Sequence, residues 1–264
     1  MTKEYKAKNR IVIKVGSSIL VKNQFINEER FEALADLIAT LRVKYEVILV
    51  SSGAVATGFK KIPLDKKILP NKQALAAIGQ PLLMQAYTKI FENYNIIVAQ
   101  VLLSAYDFDS RKRTQNVRNA IEVLLQNKIL PIINENDTTA TGELALEFGE
   151  NDQLSAYVAH YLNAELLAIL SDIEGYYDSN PSKNTEAKRY PLVSCIDKEA
   201  LMAQATPNNA FATGGIVTKL KAADFLLKRK RKMFLSNGNN LQVLKSFLLE
   251  NKQISGTLFS LENF

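Results

Sequence analysis

The chain has 264 residues, of which 47% are hydrophobic and 23% charged. This length and hydrophobic content suffice for the core of one large α/β domain or of two small ones. Its single cysteine, Cys195, excludes an intramolecular disulfide and any metal site made of several cysteines. A charged N-terminal segment and the lack of a long apolar run predict neither a signal peptide nor a membrane-spanning helix, so we expect a cytoplasmic protein with no membrane partner.

The net charge of +6 at pH 7 is concentrated partly in residues 228–232, Lys-Arg-Lys-Arg-Lys. Such a run can form a nucleic-acid-binding patch, or it can close a helix, where cations complement the helix dipole. No aromatic side chain for base stacking lies within the run. We therefore favour the end of a helix and do not expect a nucleic-acid partner.

The first predicted strand, residues 10–15, contains an apolar run that is broken by Lys14. A lysine inside a buried strand is costly unless anions meet it. A helix is predicted to follow Asn27, a residue type that caps helices, because acidic residues fill its first turn. Apolar side chains then recur at helical spacing and would face the core: Phe31, Leu34, Ala35, Ile38 and Leu41.

The second predicted strand, residues 47–50, is entirely apolar and leads directly into four small residues, 51–54, where the backbone can approach a ligand closely. Residues 73–94 are predicted to be helical, with Gly79 and Pro81 ending or bending the helix locally. The next predicted elements are a strand over residues 96–103 and a helix over residues 113–127.

Two polar clusters follow apolar segments in the middle of the chain. The strand 129–133 leads into Asn-Glu-Asn-Asp at 134–137, which must leave the sheet and meet water or a ligand. Asn151 and Asp152 occupy the first turn of the next helix, where free N–H groups favour negative charge. In open α/β sheets, ligands bind beyond the carboxyl ends of the strands. We expect both clusters on that rim, with residues 138–148 forming a hairpin or flap over it.

Beyond the rim, a central strand is predicted over residues 165–170 and ends at Ser171 and Asp172. Residues 175–189 are poor in apolar side chains, and we expect a loop that could cover a nucleotide. Apolar strands that alternate with helices predict an α/β fold, a three-layer sandwich with a mainly parallel open central sheet. The remaining predicted elements are a helix opening at residues 211–215, a strand over 233–236, a helix over 240–251 and a strand over 256–259.

Residues 213–219, Thr-Gly-Gly-Ile-Val-Thr-Lys, place two glycines, a threonine and a lysine at a helix start, which suits phosphate oxygens bound by free N–H groups. The segment does not match the Walker A loop, so on its own it is a weak signal. Together with Lys14, however, it could bring two lysines to one rim, where they would neutralise the charge of a phosphoryl group.

The acidic residues allow other interpretations. Asp137, Glu150 and Asp152 could form a metal cage or a glycosidase-like acid/base pair, since nothing in the sequence fixes their separation. His160, the only histidine, lies opposite the apolar stripe of its helix, and we interpret it as a solvated residue outside the site. This interpretation argues against a reaction whose base must titrate near neutral pH.

Six motifs in this order resemble those of the glutamate 5-kinases, in the amino acid kinase family, and they span nearly the whole chain. They are Lys14-Val-Gly-Ser-Ser, Val50-Ser-Ser-Gly-Ala, Ile132-Ile-Asn-Glu-Asn-Asp, Gly149-Glu-Asn-Asp-Gln-Leu-Ser, Leu170-Ser-Asp-Ile-Glu-Gly-Tyr-Tyr and Thr213-Gly-Gly-Ile-Val-Thr-Lys. The resemblance implies the amino acid kinase fold and ATP-dependent phosphorylation of the side-chain carboxylate of L-glutamate, the first step of proline biosynthesis.

The resemblance also implies roles for individual residues. Lys14 and Lys219 would stabilise the phosphoryl group in transfer, and Asp152 would hold these lysines. The glutamate-binding positions would be Ser52, Asp137 and Asn151. The ATP-binding positions would be Lys14, Ser171, Asp172, Thr213, Gly214, Gly215, Ile216, Val217, Thr218 and Lys219, with Mg²⁺ as the counter-ion and no metal ligand assigned to the protein.

We expect one amino acid kinase domain over residues 1–264, with a glutamate-binding part at about 1–165, an ATP-binding part at about 166–264 and no PUA domain. A homo-oligomer, a dimer or tetramer, and feedback inhibition by proline are further implications of the resemblance. The alternatives are acetylglutamate kinase, aspartokinase or uridylate kinase, or a non-catalytic nucleotide- or RNA-binding regulator. Acetylglutamate and uridylate kinases tend to carry a glycine run at the positions where this chain has Ser-Ser-Gly-Ala, residues 51–54, and this difference disfavours them. Retention of both lysines and Asp152 disfavours the non-catalytic regulator.

Overall fold

A computed structural model of the chain describes residues 9–22, 25–139, 151–202 and 214–262. Its strands are β1 (Arg10–Val15), β2 (Val21–Lys22), β3 (Phe25–Ile26), β4 (Glu46–Val50), β5 (Val98–Leu103), β6 (Leu130–Glu135), β7 (Leu166–Ser171), β8 (Leu192–Val193), β9 (Lys232–Asn237) and β10 (Thr257–Phe259). Its α-helices are α1 (Ser17–Leu20), α2 (Glu28–Leu41), α3 (Ala54–Lys61), α4 (Leu69–Glu92), α5 (Arg111–Gln126), α6 (Asn151–Tyr161), α7 (Lys198–Met202), α8 (Gly214–Leu227) and α9 (Gln242–Leu249). A 3-10 helix spans Ala105–Phe108.

The central sheet has eight strands in the order β5-β6-β4-β1-β7-β9-β10-β8, and β2 and β3 pair separately. The first six strands of this order run parallel to one another. At the far edge, β10 runs antiparallel to β9, and β8 runs parallel to β10. The predicted mainly parallel sheet is therefore confirmed.

Apolar side chains cover both faces of the sheet. Val12 and Ile48 belong to a core that includes residues of α6 and α8, whereas the neighbouring Ile11 and Val47 belong to a second core that includes residues of α2, α4 and α9. Successive strand residues point to opposite faces, so a strand that is apolar throughout must be covered on both sides. The predicted three-layer α/β sandwich is confirmed by these two cores.

Helix α2 begins where its capping residue predicts. The side chain of Asn27 accepts a hydrogen bond from the backbone N–H of Arg30, and acidic Glu28 and Glu29 occupy the first turn. The predicted apolar stripe of this helix, including Phe31 and Leu34, is buried.

Helix α4 continues through Gly79 and Pro81, so of the two predicted effects, ending or bending the helix, the structure excludes an end at these residues. Pro81 removes the hydrogen bond to the carbonyl of Ala77, but Ala77 and Pro81 are both exposed, and water can bind that carbonyl. Gly79 serves a different purpose, because a Cβ atom there would overlap the carbonyl oxygen of Ala54 at the start of α3. Gly58 makes the reciprocal close approach to Leu75.

Two predicted features lie wholly or partly outside the described residues: the flap at 138–148, of which only 138 and 139 are described, and the first three residues of the segment 211–215. The loop at 175–189 contains only an isolated antiparallel bridge between Tyr177 and Arg189. None of the described helices combines the length and the apolar character that a membrane crossing requires.

Candidate active site

A cavity of about 400 Å³ lies at the carboxyl ends of the adjacent strands β6, β4, β1 and β7. Polar residues at the ends of these strands and just beyond them reach it because parallel strands end at the same edge of the sheet. Seven of the predicted site residues line this cavity: Lys14, Ser52, Asp137, Asn151, Ser171, Asp172 and Lys219.

Asp152 binds both predicted lysines from beneath the cavity. Its Oδ1 atom lies 2.6 Å from the Nζ atom of Lys14, and its Oδ2 atom lies 3.2 Å from the Nζ atom of Lys219. Lys14 is the fifth residue of β1, Asp152 lies in the first turn of α6, and Lys219 lies in α8. Three elements that are distant in the sequence therefore meet at one carboxylate.

This cluster is buried, and its charges do not cancel. Asp152 is fully buried, and Lys14 and Lys219 are each 6% exposed. Burial alone would raise the pKa of the Asp152 carboxyl, but the charges of Lys14 and Lys219 and the hydrogen bonds from Lys14 and Thr218 outweigh it and hold the pKa below its ordinary value. Two ammonium groups and one carboxylate leave one positive charge beside the cavity.

The first turns of α8 hold Lys219 in place. Its ammonium donates a hydrogen bond of 2.9 Å to the carbonyl oxygen of Gly215, one turn earlier. The hydroxyl of Thr218 donates to Oδ2 of Asp152 at 2.8 Å. The glycine-rich start of the helix thus places a cation and a hydroxyl on the same carboxylate.

Other predicted nucleotide-binding residues of α8 have different surroundings. The side chains of Ile216 and Val217 are each 9% exposed and belong to the hydrophobic core that includes α6. Gly214 is the first residue of the helix, and Thr213 lies outside the described residues. At the end of β7, the hydroxyl of Ser171 donates to the carboxylate of Asp172 at 2.9 Å.

Asn151 joins the ends of β4 and β6. Its side-chain nitrogen lies 2.9 Å from the carbonyl oxygen of Ser51, 2.9 Å from the hydroxyl of Ser52 and 2.8 Å from Oδ1 of Asn134. Its Oδ1 atom is buried and has no hydrogen-bond partner among the described residues. Gly53, the residue after Ser52, has a φ of 109°, a conformation that favours glycine, and it turns the chain into α3.

The carboxylates at the end of β6 lie beside this amide cluster. Burial and the neighbouring Asp137 raise the pKa of Glu135 to about 7, against a smaller opposing effect of Lys72. Burial also raises the pKa of Asp137, and Lys72 again opposes the effect. The Nζ atom of Lys72 is 3.8 Å from Oδ1 of Asp137. Of these two carboxyl groups, Glu135 is therefore the one whose pKa lies near neutral pH.

The metal-cage and acid/base interpretations receive no support from the described residues. Among them, no group of three or more His, Cys, Asp or Glu side chains is arranged to hold a metal ion. Asp152 is already bound by two lysines, and Glu150 lies outside the described residues. His160 does not line the cavity; it packs edge-on against Phe225, so it is only partly solvated.

The sequence did not predict every residue of the cavity wall. Lys66 and Lys72 line it, although nothing in their sequence context indicates a ligand. The sequence indicates that Asn134 and Glu135 are polar residues at a strand end, but it assigns them no role. The pairing of Lys72 with Asp137 depends on where α4 packs, and the sequence gives no signal for that.

Comparisons with known proteins identify sequences and structures that are similar to this chain. The model of the amino acid kinase family matches residues 9–237. A glutamate 5-kinase of Wolinella succinogenes is 59% identical over 253 residues, covering 95% of this chain and 97% of its own length. A glutamate 5-kinase of Leishmania donovani is 58% identical over 254 residues, covering 96% of both chains. The crystal structure of UMP kinase from Ureaplasma parvum has a TM-score of 0.65 at 17% identity, covering 96% of this chain and 99% of its own, which shows the shared fold alone.

Proposed function

The chain belongs to the amino acid kinase family, and from this premise we propose that it phosphorylates the side-chain carboxylate of L-glutamate with ATP. The product is L-glutamyl 5-phosphate, and the reaction is the first step of proline biosynthesis. The observation that carries the proposal is the binding of Lys14 and Lys219 to the two oxygen atoms of Asp152 beside one cavity.

The chemistry needs charge screening and no general base. A glutamate side chain has an ordinary pKa of about 4.3, so at neutral pH its carboxylate is already an anionic nucleophile. One of its oxygen atoms forms the new bond to the γ-phosphorus of ATP while the bond to the departing ADP oxygen breaks. The protein must therefore bring two anions together, and lysines and helix N-termini suit that task.

Lys14 and Lys219 supply the positive charge for this step. Because Asp152 neutralises only one of the two, a net positive charge remains where the phosphoryl group would pass. Asp152 itself is fully buried and serves to hold the lysines at a fixed separation. A preorganised pair of this kind does not have to rearrange as charge moves in the transition state.

The two substrates would occupy different sides of the cavity. Ser52, Asp137 and Asn151 would bind glutamate, with the ends of β4 and β6 supplying this side. Ser171, Asp172 and the segment from Thr213 to Lys219 would bind ATP. This assignment corresponds to a glutamate-binding part at about residues 1–165 and an ATP-binding part at about 166–264 within one kinase domain.

Mg²⁺ would bind at this site together with the nucleotide. The described residues form no carboxylate cage of their own, so the phosphate oxygens of ATP would supply most of the ligands. Asp172 is the acidic residue on the proposed ATP side that could contact the ion or its water shell. When bound, Mg²⁺ would neutralise part of the charge on the phosphates.

Three further expectations accompany the proposed function. The enzyme would act in the cytoplasm, would assemble as a homodimer or homotetramer, and would be subject to feedback inhibition by proline. Size-exclusion chromatography with light scattering tests the assembly, and a proline titration at several glutamate concentrations tests the inhibition.

Trapping of the acyl phosphate with hydroxylamine tests the reaction itself. The purified protein is incubated with ATP, Mg²⁺ and hydroxylamine together with glutamate, N-acetylglutamate or aspartate, and consumption of UMP is measured separately. We expect hydroxamate from glutamate alone. Hydroxamate from another acid, or phosphorylation of UMP, would assign the chain to a different activity within the family, and RNA binding without ATP turnover would indicate a regulator.

A further inference from the structure

A chain of buried amide side chains connects the substrate side of the cavity to helix α4. The side-chain nitrogen of Asn134 donates to Oε1 of Gln80 at 2.8 Å, and the side-chain nitrogen of Gln80 donates to Oε1 of Gln100 at 2.9 Å. Asn134 is 1% exposed and Gln80 is 8% exposed. Gln80 does not line the cavity, so it would not contact a substrate there.

Two backbone groups fix the direction of these hydrogen bonds. The backbone N–H of Glu135 can only donate, and it lies 2.9 Å from Oδ1 of Asn134, which must therefore be the amide oxygen. The carbonyl of Ser51 can only accept, so the atom of Asn151 that faces it is the amide nitrogen. That nitrogen in turn donates to Oδ1 of Asn134.

The orientation of Asn134 leaves one requirement at residue 80. Because the Asn134 oxygen faces Glu135 and Asn151, its amide nitrogen must face Gln80 and needs an oxygen atom there. The amide of Gln80 supplies that oxygen. Its own nitrogen then faces Gln100, an exposed residue of β5 whose amide can rotate to match.

Helix α4 holds this oxygen in place. Gly79, the preceding residue, packs directly against the backbone of Ala54 at the start of α3, which fixes the position of the helix beside the site. About two helical turns after Gln80, the buried Tyr87 forms a 2.8 Å hydrogen bond with the hydroxyl of Ser51. The same helix therefore supports both strand ends to which Asn151 is bound.

We infer that Gln80 is a positioning residue for the acceptor substrate: it orients Asn134, and through Asn134 it holds Asn151 in the arrangement that binds glutamate. This inference rests on the proposed function. Without the Gln80 oxygen, the buried amide of Asn134 would lose a partner and could turn, which would release the hold on Asn151. Among the described residues, the side chains of Ser171, Asp172 and Lys219 form no hydrogen bond with this chain of amides, so ATP binding should be unaffected.

The test compares two substitutions that differ in whether they keep the oxygen. Gln80→Met has a similar volume but no acceptor for Asn134, and we expect it to raise the KM for glutamate about tenfold with little change in kcat or in the KM for ATP. Gln80→Glu keeps an oxygen toward Asn134, while Gln100 rotates to donate to the other, and its KM should stay within about twofold of the wild type.

Gln85→Met is the matched control, because Gln85 lies on the exposed side of the same helix and does not line the cavity. Its kinetic constants should equal those of the wild type. If Gln80→Met does not fold, Gln80→Asn replaces it, since the shorter amide withdraws the oxygen but stays polar. Circular dichroism establishes that each variant is folded.

The activity of the wild type distinguishes a failure of the proposed function from a failure of this inference alone. A wild type that forms no glutamyl hydroxamate overturns the proposed function and this inference with it. An active wild type and a folded Gln80→Met or Gln80→Asn variant with an unchanged KM for glutamate overturn this inference alone. Equal defects in Gln80→Met and Gln80→Glu, or a defect shared by kcat and the KM for ATP, would also refute it, since a general loss of packing predicts that pattern.

Discussion

Lys14 and Lys219 contact different oxygen atoms of one buried carboxylate, although they lie near opposite ends of the chain. Lys14 comes from the strand β1 within the central sheet, and Lys219 comes from helix α8. The shared partner, Asp152, fixes the separation of the two ammonium groups. We therefore expect these three residues to act as a unit, and each of them can be tested separately.

Removal of either lysine should abolish most of the activity. Lys14→Met or Lys219→Met is expected to lower kcat about 10²–10³-fold, because one preorganised positive charge is lost from the path of the phosphoryl group. The measurement is the rate of glutamyl hydroxamate formation with saturating ATP and glutamate. Each variant keeps one ion pair with Asp152, so the fold should persist.

Lys89→Met provides the control for these substitutions. Lys89 is an exposed residue of α4 and does not line the cavity. The control should have wild-type turnover. Near-normal turnover in a folded Lys14→Met or Lys219→Met variant would remove that lysine from the mechanism.

Asp152→Asn should destabilise the protein in a pH-dependent manner. The variant leaves two buried ammonium groups with no carboxylate between them, and loss of one partner from a buried ion pair costs about 3–5 kcal/mol. The pKa of Asp152 in the folded state lies below its ordinary value of 3.8, so its stabilising effect is present above that pH and is lost as the pH falls through the lower pKa.

Urea unfolding of the wild type and Asp152→Asn at pH 7 and near pH 3 measures this difference in free energy of unfolding. The gap between the two proteins should be large at pH 7 and should shrink at the acidic end. An equal gap at both pH values would show that the charge of Asp152 contributes nothing beyond packing.

Much of the fold follows from the sequence because apolar strands and helical stripes carry it. The strand predicted at residues 10–15 and the helix after Asn27 occur where the periodicity and the cap place them. The two-residue strand β8 has no such pattern, because its pairing depends on β10 at the far edge of the sheet. The antiparallel direction of β10 is likewise set by tertiary packing and leaves no mark in the sequence.

The candidate site shows the same division. The polar run 134–137 could be recognised because carboxylates and amides do not suit a buried strand. The prediction that the whole run leaves the sheet is wrong, however, because Asn134 and Glu135 are the last two residues of β6 and Asn134 is buried. The hydrogen bond between Gln80 and Asn134 could not be predicted, since a glutamine within an otherwise ordinary helix gives no indication that it faces a residue 54 positions later. The packing role of Gly79 is hidden for a related reason: helix propensity describes an isolated helix, whereas this glycine is required by the neighbouring α3.

Glu135→Gln should stabilise the protein at alkaline pH. Burial and Asp137 raise the pKa of Glu135 from 4.5 to about 7, so the folded state disfavours its ionised form. For an acid with a raised pKa, stability is fully present below the unfolded-state value and is lost as the pH rises through the folded-state value. The neutral glutamine avoids this loss.

The melting temperature of the wild type relative to Glu135→Gln should therefore fall between about pH 4.5 and pH 7 and stay constant above. Glu28→Gln, at an exposed position in the first turn of α2, serves as the control for removing a carboxylate elsewhere. A difference between wild type and Glu135→Gln that does not vary across this range would contradict the raised pKa.

Gly79→Ala separates helix propensity from packing by the sign of its effect. In an exposed helix the change would stabilise the protein by about 1 kcal/mol, because alanine is the better helix former. At this position the added methyl group would overlap the carbonyl of Ala54, so we expect a loss of about 1–3 kcal/mol in the free energy of unfolding instead. Urea unfolding measures the sign directly, and the KM for glutamate should rise as well because Ala54 lines the cavity. A stabilised Gly79→Ala variant would mean that α3 and α4 can separate without cost and that their close approach does not hold the site in place.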